Sequence, residues 1–254
     1  MAVKGSKRIL ALKKRKARER EGAFLIEGIR LCEEALKIEG ATEQLVFARD
    51  MLDRSERLAA LYKTALHSGV TVQMTDRRAM KGMCETETPQ GVVGVAREPN
   101  WDRDEVISSG KPLLILDQVR DPGNLGTILR TAEGAGAGGV FLVKGSVELL
   151  NPKVVRSTMG SVFRFPVLVD QRPTSLIDDL KRARVTVYAA HTDGQSFSEA
   201  DYSKPYAFVL GNEAFGIDGD ILKLADQKVS IPMSEPVNSL NVAVAAGVLL
   251  YANT

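Results

Sequence analysis

Apolar and polar positions fall into two stretches of alternating strand and helix signals on either side of a polar break. In the first, Phe24 to Lys37 and Ser55 to Leu66 carry apolar residues at helical spacing, while Gln44 to Ala48, Val70 to Met74 and Gly91 to Ala96 are short apolar runs of strand length. They predict a compact α/β/α unit. Arg97 to Lys111 shows no apolar period and contains Pro99, Asn100, Ser108, Ser109 and Gly110, which is linker composition. The expected division is a first domain over 1–97, a linker over 98–111 and a second domain over 112–254.

The second stretch is more regular. Strands are predicted at Leu113 to Leu116, Val140 to Val143, Pro166 to Val169, Val185 to Ala190, Tyr206 to Leu210 and Lys228 to Pro232. Helices are predicted at Leu125 to Ala135, Lys153 to Met159, Leu176 to Arg184, Asp218 to Ala225 and Leu240 to Tyr251. Strands that are apolar throughout and separated by helices imply a mainly parallel sheet covered on both faces. Ligands of such sheets sit beyond the carboxyl ends of the strands, so the loops after Leu116, Leu210 and Pro232 are where chemistry is expected. The last helix is apolar nearly all round and is expected to be buried in the core or in a subunit interface.

Composition narrows the class. The chain has 254 residues, 44% of them hydrophobic and 26% charged, which excludes a low-complexity or collagen-like protein. Two cysteines and two histidines are too few for a disulfide framework or a structural zinc site. The absence of a long apolar run, and of an apolar core behind the basic start, predicts a cytoplasmic protein without membrane or metal partners. The net charge of +2 hides an asymmetry: residues 1–22 hold nine Lys or Arg, Lys4 among them, against two Glu, leaving the remainder at −5. A basic arm on a mildly acidic body suggests a grip on a polyanion, or alternatively a solvated helix with a basic face.

Three loops carry polar residues that packing does not demand. In Asp117 to Arg130, Pro122 and Gly123 make a turn and Asn124 suits a helix N-cap, but Arg130 lies mid-helix between Gly126 and Gly134. A guanidinium left open by small neighbours suits bidentate contact with phosphate or carboxylate. In Leu210 to Gly216, Gly211 would let a ligand approach the backbone, with Asn212 and Glu213 following. In Ile231 to Asn241, Ser239 could cap the final helix, and the Asn241 amide at its apolar start needs hydrogen-bond partners. Dinucleotide and phosphate loops are absent: Gly134 to Gly139 follows a helix, and no Gly-Lys-Ser/Thr follows Gly211 to Gly216.

These three loops resemble the SpoU (TrmH) family of RNA ribose 2′-O-methyltransferases within the SPOUT superfamily. The matching stretches are Asp121 to Gly126 with Arg130, Thr131 and Ala132, then Leu210 to Glu213, then Ile231-Pro232-Met233 with Ser239 to Val242. Asn151-Pro152-Lys153 and Arg156 to Gly160 are similar to the segment between the family's first two motifs. The basic start leading into Phe24 to Gly28 is similar to the ribosomal-protein-L30e-like RNA-binding domain that many members carry. The resemblance implies an α/β knot, a catalytic domain with a trefoil knot and a mainly parallel sheet, beside a small α/β/α domain.

It further implies S-adenosylmethionine as cofactor, held by Leu210, Gly211, Asn212, Ile231, Met233, Ser239 and Leu240. Asn124, Arg130, Glu213, Ser239 and Asn241 would form the catalytic constellation, with Asn124 orienting Arg130. Lys7, Arg8, Lys13, Lys14, Arg15, Lys16, Arg18, Arg20 and Arg156 would contact RNA, ribosomal rather than transfer RNA, and the enzyme would be a homodimer. Glu235 and Asn238 depart from the family pattern, which has Gly and an acid there. The rival reading is a non-catalytic RNA-binding or ribosome-assembly factor that keeps the knot.

Overall fold

In the computed structural model, residues 6–203 and 205–252 are described, so Lys4 of the basic arm lies outside them. The first elements are α1 (Ser6–Leu12), α2 (Arg15–Glu21), β1 (Ala23–Glu27), α3 (Ile29–Leu36), β2 (Thr42–Ala48) and α4 (Arg49–Leu52). Next come α5 (Glu56–His67), β3 (Thr71–Thr75), α6 (Arg77–Met83), β4 (Val92–Arg97), α7 (Arg103–Ile107), β5 (Leu113–Leu116) and α8 (Pro122–Gly134). β6 (Gly139–Val143), α9 (Pro152–Ser157), β7 (Val167–Gln171), α10 (Pro173–Arg182) and β8 (Thr186–Ser196) follow. The chain ends with β9 (Tyr206–Leu210), α11 (Gly219–Leu224), β10 (Gln227–Ser230) and α12 (Val242–Tyr251). By its packing it divides into a unit of Met1–Asn100 with Leu150–Phe163 and a unit of Trp101–Leu149 with Arg164–Thr254.

The first unit is a four-stranded sheet of order β1-β4-β2-β3, antiparallel except between β2 and β3. Phe24 to Lys37, expected as one helix, is a strand and then a helix. All five residues of β1 are buried, and a short apolar run cannot be told from a helix by its period alone. Gly28, at φ +97°, makes the break that a side chain would resist.

The basic arm is folded into this unit. Ile9, Leu12 and Ala17 join a core cluster with Leu25, Val46, Met80 and Val95. Its cations therefore divide. Arg18 is 3% exposed and donates through Nη1 to Leu12 O at 2.8 Å and Lys13 O at 2.9 Å, which takes it out of reach of RNA. Lys13 Nζ donates to Gly82 O and Cys84 O, and Arg8 pairs with Glu21 at 2.9 Å and Glu43 at 2.6 Å. Arg15 pairs with Glu19 and Arg20 with Glu21. Lys7, Lys14 and Lys16 are exposed, with no side-chain hydrogen bond or ion pair among the described residues.

Leu150–Phe163 also belongs to this unit, although it comes from between β6 and β7 in sequence. Phe163 stacks on Phe24 at 5.7 Å between centroids, and Arg156, expected on RNA, sits 3.3 Å from the buried Glu27 carboxylate.

The second unit is a six-stranded sheet of order β10-β8-β9-β5-β6-β7 in which every neighbouring pair is parallel. β5 and β9 are buried at every position, as expected for strands covered on both faces. The chain leaves β5 for β6 on one side and later fills β9 in on the other, so the β5/β9 boundary is the topological switch point. Part of the expected linker is helical: Asp102 caps α7, and Val106 and Ile107 enter the core with Leu113 and Phe141. A helix of five residues carries too few apolar positions to show a period. α12 packs on α8 and β9, burying Val242, Ala246 and Leu249 but leaving Val244 and Tyr251 more than half exposed.

Candidate active site

The loops that follow β5, β9 and β10 are built by local capping. Asp121, rather than Asn124, is the N-cap of α8 and accepts from Asn124 N at 2.8 Å. Pro122 at the first helical position needs no partner for a nitrogen that carries no hydrogen. That arrangement frees the Asn124 side-chain amide. Likewise Asn241, rather than Ser239, caps α12, its Oδ1 accepting from Ala243 N at 2.9 Å and Val244 N at 3.4 Å. Asn241 is exposed, and it finds the partners expected of its position.

These two caps fix a chain of side chains. Because Asn241 Oδ1 is an acceptor, its Nδ2 must point outward, and it donates to Asn124 Oδ1 at 2.9 Å. Asn124 Nδ2 in turn donates to Glu213 Oε1 at 2.9 Å. Three loops far apart in sequence are thereby tied in one direction, from a helix N-terminus to a carboxylate. The Arg130 side chain is exposed and makes no hydrogen bond to Asn124 or to any other described residue. Ser239 is also exposed.

The β9 loop is closed on itself. Asn212 and Gly216 exchange backbone hydrogen bonds of 2.9 Å in both directions, and Asn212 Oδ1 accepts from Ala214 N and Phe215 N. Asn212 Nδ2 donates to Gln118 O at 2.8 Å, bracing the β5 loop. A Cβ at Gly211 would overlap the Gly216 carbonyl and the Ile217 nitrogen. The loop's own closure thus requires Gly211.

Leu210, Gly211, Asn212, Ile231, Met233, Ser239 and Leu240, the residues expected to hold a cofactor, all line one cleft of about 370 Å³, and Glu213 lines it too. Asn238 lies on its wall as well. Its volume lies in the range of small-molecule sites, and its walls join apolar side chains to backbone groups and small polar side chains, which suits a nucleoside with a short zwitterionic arm. S-adenosylmethionine fits that description.

Ala190, His191 and Thr192 also line the cleft, and sequence reading missed them. β8 pairs with β10 at Tyr188 and Ala189 and again at Gln195 and Ser196, while β10 advances only from Lys228 to Val229. Residues 190–194 of β8 therefore form a bulge in its pairing with β10. The available signal was Gly194 after a turn to polar residues: a Cβ there would come within 2.5 Å of the Val229 backbone. His191 Nδ1 accepts from Asp193 N at 3.2 Å, which leaves Nε2 as the donor of the neutral ring.

Beneath the loops, Asp117 is 1% exposed. Its Oδ2 accepts from Asp218 N at 2.7 Å, while Oδ1 has no partner among the described residues. Burial pushes its carboxyl above the ordinary aspartate range, with the Asp218 charge adding to the shift and hydrogen bonds from Asp218 N and Gln118 opposing it.

Comparison with known proteins agrees with this geometry. The SpoU rRNA Methylase family matches residues 111–251, and the MRM3-like substrate binding domain matches residues 6–94. The chain is 36% identical over 238 residues to the 23S rRNA (guanosine(2553)-2′-O)-methyltransferase RlmP of Bacillus subtilis, covering 93% of this chain and 90% of that protein. Its fold is similar to the AdoMet-bound rRNA methyltransferase of Sinorhizobium meliloti, at TM-score 0.82 and 31% identity over 97% of this chain and 92% of that one. It is also similar to the SpoU methyltransferase AviRb of Streptomyces viridochromogenes in complex with AdoMet, at TM-score 0.84 and 27% identity over 98% and 96% of the two chains. A parallel sheet whose switch-point loops meet over a nucleoside-sized cleft, and a family match over residues 111–251, have one reading: the chain belongs to the SpoU rRNA methylase family.

Proposed function

We propose that this protein transfers a methyl group from S-adenosylmethionine to a ribose 2′-hydroxyl of ribosomal RNA. The observation that carries the reading is the Glu213–Asn124–Asn241 chain standing at the cleft that all seven cofactor candidates line. When bound, the cofactor supplies an electrophilic methyl carbon, so the chain's own task is positioning and activation of a weakly acidic hydroxyl. Glu213, Asn124 and Asn241 hold the three loops in register. Arg130, with its guanidinium free, clamps the phosphate beside the target ribose and stabilises the oxygen as its proton leaves. A guanidinium is a poor base, and Arg130 acts here as a cation rather than as a proton acceptor.

The first unit, matched by a substrate-binding domain, presents Lys7, Lys14 and Lys16 to RNA phosphates. Passage of 231–241 from the edge strand β10 back to α12 supports the knotted course that the family resemblance implies. Val244 and Tyr251, exposed on an otherwise apolar helix, support a homodimer built on α12. No helix among the described residues is long and apolar enough to cross a membrane, which is compatible with the cytoplasmic setting we assign.

Mapping of 2′-O-methylation across total RNA from cells with and without the protein tests this function. A ribosomal RNA nucleotide that loses its methyl group is the expected result. A map unchanged at every position would overturn it.

A further inference from the structure

Phe215 is 85% exposed, at the tip of the loop after β9. Every residue from Leu210 to Ile217 lines the cofactor cleft except Phe215. The ring therefore does not serve the cofactor. It stacks on no other aromatic ring among the described residues, so it serves no core either.

Full exposure of a phenyl ring forgoes the burial that a phenylalanine ordinarily contributes to the fold. It is not the accident of a slack loop. Asn212 and Gly216 close the loop by two backbone bonds, Asn212 Oδ1 holds Phe215 N itself at 3.2 Å, and Gly211 permits the tight contact with Gly216. The ring is carried on a preformed support two residues after Glu213, whose carboxylate ends the side-chain chain at the cleft.

We infer that Phe215 is a stacking platform for an unpaired nucleobase of the RNA substrate. This rests on the proposed function and narrows its substrate class. Bases inside an A-form duplex are stacked on one another and offer no free face, whereas bases in loops and bulges can be splayed onto an aromatic side chain. A base stacked at the tip fixes the nucleotide laterally beside the loop that carries Glu213. The target is accordingly a nucleotide in a single-stranded loop, not one whose 2′-hydroxyl is presented by a helix.

The test uses the full chain with a mixed-sequence single-stranded oligoribonucleotide and a duplex of the same length. Phe215→Ala is expected to weaken single-stranded binding by about 5- to 150-fold, the range for one base stacked on an aromatic ring, and to leave duplex binding and S-adenosylmethionine affinity unchanged. Phe215→Trp should retain binding. Because Trp101 is the sole tryptophan, the double variant Trp101→Phe with Phe215→Trp carries one reporter, whose emission should be quenched by the single strand and not by the duplex. Unaltered single-stranded affinity in Phe215→Ala overturns the inference, as does failure of the wild-type protein to bind the oligonucleotide. A change of oligomeric state in light scattering would assign the ring to a second copy of the chain and also overturn it. If RNA mapping found no methylated nucleotide while Phe215→Ala still lost oligonucleotide binding, the proposed function would fall and the platform would stand.

Discussion

The basic arm and the switch-point loops both offered polar residues for contact with RNA, and the structure treats them in opposite ways. In the arm, cations that look free in sequence are consumed internally: Arg18 holds two carbonyls, Arg8 two carboxylates and Lys13 two more carbonyls. In the loops, Asn124 and Asn241 bond one another and Glu213, while the Arg130 side chain on α8 stays exposed and Ser239 stays exposed at the cleft. Charge density in a sequence therefore overstates what is available for binding. What decides is whether a charged side chain finds a partner within its own fold.

Two arginines put the contrast to its hardest test. Arg130→Ala should reduce methyl transfer by about 100- to 1000-fold, the effect of removing one group that stabilises a developing oxyanion, while calorimetric affinity for S-adenosylmethionine and the midpoint of urea unfolding stay put. Arg130→Lys should recover little, since a point charge lacks the planar fork. Arg18→Ala should do the reverse. It strips charge-assisted hydrogen bonds from two carbonyls in a buried setting and should lower unfolding free energy by about 2–3 kcal/mol in urea titrations. If Arg130→Ala unfolded the protein, or Arg18→Ala left stability intact and impaired only RNA binding, the division drawn between the regions would be wrong.

A smaller effect is expected from the lysines that the arm leaves free. Replacing Lys7, Lys14 and Lys16 together by Ala should lower the slope of log affinity for single-stranded RNA against log salt by about 2 units, at roughly 0.7 for each phosphate no longer neutralised. Stability should not change. Deleting residues 2–20 is not an equivalent experiment, because it removes Ile9, Leu12 and Ala17 from the core and should unfold the first unit. A slope unaffected by the triple substitution would leave the arm with a purely structural role.

The same contrast explains what could be read from the sequence. β5 and β9 have the limits expected of them because uniformly apolar strands between helices admit few other assignments. α1 and α2 were hidden: charged residues surround the apolar positions that are buried, so the segment reads as an arm rather than as part of a core. In the site, motif order identified Asn124, Glu213 and Asn241, but their bonding depends on which residue caps each helix. Asp121 and Asn241 take the caps that were expected of Asn124 and Ser239, and the direction of the whole chain follows from that exchange. His191 escaped notice because it lies where β8 falls out of register with β10, beyond the apolar run that marks the strand.

The finest distinction is in the response to acid, where one carboxylate from each region should move stability in opposite senses. Glu21 titrates below its ordinary range chiefly because of its hydrogen bond to Arg8; burial opposes the shift, and a weaker hydrogen bond from Arg20 adds to it. Its pairing stabilises the fold above the ordinary carboxylate pKa and is lost as pH falls through the lowered folded value. Asp117 titrates above its ordinary range because burial disfavours its charge. Its contribution is greatest below the ordinary aspartate pKa and is lost as pH rises through the raised folded value. Urea unfolding of Glu21→Gln and Asp117→Asn against wild type, between about pH 2.5 and pH 7, isolates each slope from any constant offset caused by altered packing. As pH rises, the Glu21→Gln difference should move in favour of the wild type and the Asp117→Asn difference in favour of the variant. Parallel slopes would mean that the two carboxylates share one environment, which the ion-paired arm and the buried loop support do not.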